Sequence, residues 1–500
     1  MFKNLNLNYR FSRKTVINLL ITAAYALLTL IFVAHHEIWR DEAQVWLIIK
    51  NTSFSGLFSQ LSVEGHPCLF YLLLYPFVKS GLSIVSMQII CWFSMVCSVF
   101  LLWQFSPFSI FTNTVISLSS GFLYFFPVIA RSYSILPLLL FAAAILYAKQ
   151  DKHPILYAII LACIANTHII MFGFVSCLFV IFVYKNFFQK IKHPKHTLLP
   201  ALIIFFSIVA VIIQLHNTVN LNDYIGHETV NISNTYKFIH NFLIDIYDNG
   251  FTIICENASY ALIPKLINNN ILKTVINTGI LTIVLFTFVL LYKIDKSLFY
   301  TALLGILFQL VIYISSYAII LPNRLLCTIL ILMFSLWAAL NIDRKHIKEN
   351  YFPKKAFYIN NLVSLLMIIT IPNGINFIQA DIKNNYSSGK EMANFINNNI
   401  STDSVIVTNQ PSCSMSISYY LKNRSLLFNG EPVKFVHWKA NKIEDNATGL
   451  IKYVKENKNI YELIPASINI NFLKNSDLNI IYLTKPSIAL CEDFVLVKIY

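Results

Sequence analysis

The 500-residue chain is 56% hydrophobic and only 12% charged, about half the charge of a soluble domain, which excludes an ordinary water-soluble globular protein. Its net charge of +14 does not point to nucleic acid, because many lysines and arginines fall in short loops between apolar runs, as in the cytoplasmic loops of a multi-spanning membrane protein. Nine cysteines form no metal-binding or disulfide framework, and most lie inside apolar runs (Cys91, Cys97, Cys163, Cys177, Cys327). Cys413 and Cys491 lie in the polar tail and could pair if it faces an oxidising compartment.

The amino terminus carries Lys3, Arg10, Arg13 and Lys14 and is expected to stay cytoplasmic. The run "TVINLLITAAYALLTLIFVA" that follows is about 20 residues, enough to span hydrocarbon. It is too long for a signal-peptide core and lacks a small-residue cleavage site, so it reads as a retained helix. Further apolar runs fall near 82–104, 107–130, 132–148, 154–167, 168–184, 197–215, 271–292, 297–320, 322–340 and 357–374, giving about eleven crossings. Basic loops at 149–153, 184–196, 292–297 and 343–355 mark the cytoplasmic side. Residues 66–81, with an apolar stretch of only about 12 residues, are expected to lie along the outer face rather than cross. That places Arg131 outside.

Residues 1–374 thus form a polytopic α-helical membrane domain with external loops at 36–66 and 216–270. From 375 to 500 the chain changes character. Strand-like runs "SVIVT", "VKFVHW", "LNIIYL" and "FVLVKIY" alternate with helix-like "GKEMANFI" and "NATGLIKYVKE", as in a small external α/β domain. No internal repeat or low-complexity block interrupts this plan.

The densest charge cluster, Glu37, Arg40, Asp41 and Glu42 in "HHEIWRDEAQVWLI", stands where the first apolar run stops. A solvated loop, or an interfacial anchor with Trp39 and Trp46, is the plain reading. A carboxylate at a membrane edge can also serve as a general base. Glu64 and His66 open the next apolar run, with Pro67 suited to a first helical turn. By residue type, Asp41, Glu64 and His66 would suit a divalent cation, although nothing in their spacing demands one. Arg131 interrupts a long apolar stretch and Arg324 stands at the outer end of a later helix. A charge there is a functional hypothesis by default, with snorkelling to headgroups as the alternative. Two arginines at one membrane face would suit a phosphate. His168 in "ANTHIIMF" is expected to be buried against a partner helix. Acids on one external loop, with arginines entering the same face, suit transfer from a phosphate-linked donor. A base takes a proton from an acceptor hydroxyl while cations stabilise the departing phosphate.

Three elements carry a resemblance to a known family: "WRDEAQVWLI" after the first helix, "EGHPCLFYLLLYPF", similar to an "HPPL" element, and "ARSYSILPLL", where R-x-Y opens a helix. In order and topology they resemble the GT-C membrane glycosyltransferases, in particular the protein O-mannosyltransferase and aminoarabinose (lipid A) transferase superfamily. The likeness is best over 15–185, thinner through 186–374, and limited in the tail to the external α/β character. It implies an inverting transferase that takes a sugar from a polyprenyl-phosphate carrier and passes it to a lipid, glycan or protein acceptor. Asp41 would match the family's loop aspartate, a base or acceptor-orienting group, and Glu42 the second acid. Arg131, Tyr133 and, more loosely, Arg324 would bind the donor phosphate, with Arg40, Glu64 and His66 supporting the acceptor or the loop. Cys68 stands where the second proline is usual, a change in local rigidity. Metal use varies across the superfamily. A bacterial inner membrane with the site facing the periplasm fits these motifs best. A flippase would place its charges near the bilayer midplane in related halves, and a scaffold presenting its tail would leave Arg131 and Arg324 without a role. An O-antigen ligase or polymerase using a diphosphate-linked glycan stays open within the transferase class.

Overall fold

The computed structural model describes residues 12–188, 194–216, 269–316, 322–346, 352–436, 459–466, 478–489 and 491–499. The expected loop 216–270 lies outside them except at its ends, as does the helix expected over 446–456. Helix α1 (Arg13–His35) begins at Ser12, whose hydroxyl accepts the Thr15 N–H. Its 23 residues reach about 34 Å. Helices α2 (Arg40–Asn51), α3 (Phe54–Glu64) and α4 (Leu69–Lys79) are short and follow at one end of α1. Gly65 ends α3 at φ 71, a left-handed position that costs glycine nothing, and it turns the chain into His66. Helices α5 (Val85–Phe105), α6 (Ile110–Leu118), α7 (Leu136–Tyr147), α8 (Pro154–Ala165), α9 (Phe172–Val183) and α10 (Pro194–Leu215) continue the bundle, and among the described residues Asn270–Ile294, Lys296–Ser316, Pro322–His346 and Phe352–Ile368 join it.

Among the described residues, six helices are long and apolar enough to cross a membrane, and shorter apolar helices accompany them. The molecule wears its apolar side chains outward as well as inward. Leu27, Phe206, Ile213 and Leu285 are 61–70% exposed, which only a hydrocarbon surrounding tolerates on this scale. Inside, Tyr124, Phe141, Phe174, Phe334 and Trp337 form one continuous aromatic core. The 11 residues of α4 reach only about 16 Å, half the hydrocarbon thickness. Its buried face (Phe70, Tyr71, Leu74) packs with Trp46 and Ile49 of α2.

The run 107–130 is not one crossing helix. Helix α6 stops at Leu118, a π-helical turn follows over Gly121–Phe125, and residues 126–131 leave helical conformation. The local cause is "SSG" followed by Pro127: the Ser119 hydroxyl donates to the Ile116 carbonyl, and proline cannot continue the ladder. Gly374, in the helix Ile371–Lys383, presses on this break. A Cβ there would stand 2.8 Å from the Ser120 Cα. That same helix carries the apolar part of the chain beyond residue 374.

The tail holds a six-stranded mixed sheet in the order β3-β2-β1-β4-β6-β5. Strands β1 (Val405–Thr408), β5 (Ile480–Leu483) and β6 (Phe494–Lys498) match three strand-like runs of the sequence. Short β2 (Leu427–Phe428) and β3 (Glu431–Pro432) form one edge. The central strand β4 (Ile460–Pro465) carries Glu462 in the middle of its run, and residues 433–436 of the expected strand "VKFVHW" are irregular. The helix Gly389–Asn399 packs Met392 and Ile396 against Ile406, Leu463 and Leu496.

Gly374→Val should lower the unfolding temperature in detergent by the equivalent of about 1–3 kcal/mol, since backbone rather than a pliable side chain must move. Gly279→Ala, where a Cβ meets nothing within 4 Å, should leave that temperature unchanged.

Candidate active site

The site is built on the first turn of α2. Trp39 occupies the N-cap, and Glu42, at the third helical position, reaches back to accept the Trp39 N–H at 3.1 Å. That bond satisfies one of the orphan donors of a helix start. Acids in this turn also suit the helix dipole. Asp41 and Glu42 then diverge. Glu42 is completely buried, and its other oxygen accepts the Ala130 N–H at 2.6 Å. Asp41 keeps 28% side-chain exposure and takes the Arg131 Nη1 at 2.7 Å. Two neighbouring acids therefore hold two neighbouring residues of the broken helix.

Arg131 is fixed further. Its Nη2 donates to His66 Nε2 at 3.4 Å. The His66 ring lies 4.8 Å from that of His168, which stacks on Tyr133 at 4.7 Å. His168, expected to pack against a helix, thus belongs to the wall behind the arginine. The sequence-predicted residues Asp41, Arg131, His66 and Tyr133 are brought together. Because Arg131 touches Asp41, both stand at the same end of the bundle, as expected if 66–81 does not cross.

Other expectations land differently. Glu64 accepts from Gln44 and Gln60 at 3.2 and 2.8 Å, turned toward α2 and α3 rather than toward Asp41. With Asp41 on Arg131 and Glu64 on two amides, the proposed cation triad does not converge. Among the described residues, no three His, Cys, Asp or Glu side chains are placed to hold a metal. Arg324 lies in the first turn of Pro322–His346, and its side chain is outside the described residues. Arg40 brings its Nε within 3.7 Å of Asp41.

Two buried clusters support this turn, and neither was picked out from sequence. His36 lies between Glu42 at 3.3 Å and Asp381 at 3.0 Å, and the Tyr124 hydroxyl donates to the same Asp381 oxygen at 2.8 Å. Burial works against a charge on His36, but the two carboxylates and their hydrogen bonds prevail and its pKa is pushed up to about 10. The second cluster comes from the tail. Glu492, fully buried, accepts the Arg40 backbone N–H at 2.9 Å and the hydroxyls of Ser387 and Ser416. Burial pushes its pKa up to about 8, against the pull of Arg40 and the two serines. Gln44 adds a paired contact, donating to the Val436 carbonyl and accepting its N–H, each at 2.9 Å. The sheet thus meets α2 near the carboxyl ends of β1 and β4, which run parallel. Open α/β sheets bind ligands at that end.

No protein-family profile matches this chain, and no curated protein matches it. Among solved structures, the chain is similar to ArnT from Cupriavidus metallidurans bound to undecaprenyl phosphate, at 9% identity and a TM-score of 0.48 over 97% of each chain. The apo state of that ArnT gives 10% identity and a TM-score of 0.46, covering 96% of this chain and 97% of the other.

Among the described ion pairs, Asp41 keeps 28% side-chain exposure, Arg40 22% and Arg131 11%. Glu42, His36 and Asp381 are sealed beneath them. Glu42→Ala should cost about 3–5 kcal/mol, because it leaves the buried Trp39 and Ala130 N–H groups unpaired and takes from His36 one of its two carboxylates; chemical denaturation in detergent measures this. The carboxyl of Glu492 gives a pH signature. Below the ordinary value of 4.5 it is neutral in both folded and unfolded chains. Between that value and about 8 the unfolded chain releases a proton that the folded chain keeps, so stability falls as pH rises through this window. Glu492→Gln should flatten that fall, read as unfolding temperature against pH.

Proposed function

We propose that this protein is an inverting glycosyltransferase that moves a single sugar from a polyprenyl-phosphate donor to a hydroxyl or phosphate of an envelope lipid, glycan or protein. The observation that carries the reading is the partly exposed Asp41–Arg131 ion pair, set at the end of an apolar bundle and roofed by an α/β sheet. An arginine there suits a lipid-borne phosphate, and a carboxylate beside it suits an acceptor hydroxyl. The sequence elements that contain Asp41, His66 and Arg131 are those resembling the GT-C transferases.

In the resting site Arg131 is held by Asp41. The arriving donor phosphate competes for the guanidinium, which frees Asp41 to face the acceptor. The acceptor oxygen then attacks the sugar's anomeric carbon from the side opposite the phosphate, and Asp41 takes the hydroxyl proton. The bond from carbon to phosphate oxygen breaks with its electron pair on the oxygen, where Arg131 stabilises the charge. Tyr133 and Arg324 join the phosphate side. His66 orients Arg131, while Arg40 and Glu64 support the loop. Glu42 positions both halves of the pair from below.

The donor's tail explains the place of the charges. Each buried CH₂ holds the carrier in hydrocarbon by about 0.8 kcal/mol, so its phosphate stays at the membrane edge and the reactive groups must meet it there. The proposed setting is a bacterial inner membrane, with the amino terminus cytoplasmic and the sheet on the periplasmic side.

Asp41→Asn should abolish transfer in folded, inserted protein. Mass spectrometry of envelope lipids and glycans from matched cells with wild-type, variant or no protein is the check. A hexose- or aminosugar-sized mass present only with wild type supports the reading; a profile unchanged by the protein, or a mass that survives in Asp41→Asn, overturns it. Arg131→Ala should raise the donor concentration needed for half-maximal rate at least tenfold, with little change for the acceptor.

A further inference from the structure

Cys413 and Cys491 are the two cysteines of the region 375–500. Cys413 closes a single 3₁₀ turn just after β1, and Cys491 lies in the turn before β6. The sheet places these turns together. β1 runs parallel to β4 and β6 antiparallel to it, so the end of β1 and the start of β6 emerge at the same edge. The two strands are separated by one strand, about 10 Å, and Arg40 at the start of α2 stands against the Cys413 turn. There the Arg40 Nη1 stands 3.5 Å from the Cys413 sulfur, whose own proton goes to Gln410, and the two cysteines are near enough to shift each other's proton affinity, Cys413 upward and Cys491 downward. Both side chains are buried, and neither has a part in the proposed transfer. Cys491 holds φ 61, a left-handed conformation costly for a residue with a Cβ.

We propose that Cys413 and Cys491 are a disulfide-forming pair that, once oxidised, ties the turn after β1 to the turn before β6 against Arg40. The inference rests on the reading that the sheet faces an oxidising compartment. The chemistry is thiol–disulfide exchange with an oxidised dithiol protein or a small-molecule disulfide. One cysteine thiolate attacks a sulfur of that oxidant to give a mixed disulfide, and the second displaces it. The pair loses two electrons and two protons, and the oxidant leaves as a reduced dithiol protein or as two separate small-molecule thiols. Exchange takes place while the domain folds, before the pair is covered. The bond constrains the turns that hold Arg40, the neighbour of Asp41, and its consequence is a more rigid α2 start.

The test uses full-length protein extracted from membranes, with thiols blocked by N-ethylmaleimide in denaturant before digestion and mass spectrometry. The expected product is one cross-linked species joining the Cys413 and Cys491 peptides, lighter by two hydrogens than their sum and lost after reduction. Cys413→Ser should instead leave Cys491 fully blocked by the reagent. Both cysteines blocked without reduction, in wild-type protein from cells, overturns the proposal. Oxidised glutathione present while the same full-length protein is synthesised into membranes in vitro, before blocking, then identifies the premise that failed. Closure shows that the compartment is reducing, and failure to close shows that the sulfurs do not approach. Either result is independent of Asp41 and of transfer.

Discussion

Two adjacent carboxylates grip two adjacent residues of an interrupted helix, and the rest of the site depends on that grip. The break after Leu118 frees backbone groups in a region where an unpaired N–H is costly. Glu42 answers the N–H of Ala130, and Asp41 answers the guanidinium one residue later. Neither acid alone would fix Arg131. The backbone bond sets where residue 131 stands, and the ion pair sets where its side chain points. Their spacing on α2 assigns the roles, since neighbours on a helix diverge by about 100° and one faces inward while the other faces outward.

Burying Glu42 carries a desolvation cost that a single hydrogen bond does not offset. The structure answers with His36, positive between Glu42 and Asp381, and with Tyr124 donating to Asp381. This binds α1, α2, the π-helical turn and the helix Ile371–Lys383 at one point. The tail uses the opposite solution. Glu492 is pushed toward neutrality by burial, against the pull of Arg40, while it caps α2 through the Arg40 N–H. A charged network beneath the site and a largely neutral carboxyl above it hold the same helical turn from two sides.

That arrangement also accounts for the chain's uneven chemistry. An apolar bundle can place a phosphate-bearing lipid, but it has few polar groups to recognise what lies beyond the headgroup plane. The sheet supplies those groups, and it meets α2 at the end where parallel strands present their loops. In the proposed transfer, a donor anchored below and an acceptor admitted above meet at the ion pair of this junction.

The sequence alone determined what is local. The first apolar run and the strand runs "SVIVT", "LNIIYL" and "FVLVKIY" are set by composition and spacing within a few residues, and they appear as expected. Asp41, His66, Arg131 and Tyr133 were legible because a charge or an aromatic motif at the edge of an apolar run is conspicuous. Other features were decided only by tertiary structure. The break inside 107–130 is stable because Glu42, Thr370 and the helix carrying Gly374 receive its backbone, and those partners are distant in sequence. His36, Asp381 and Glu492 look like ordinary polar residues in the chain; folding removes their water and leaves each with specific partners. Glu64 looked like a third acid of the site until α2 and α3 offered it two amides. A side chain's type is written in the sequence, but its partner and its solvation are properties of the packed molecule.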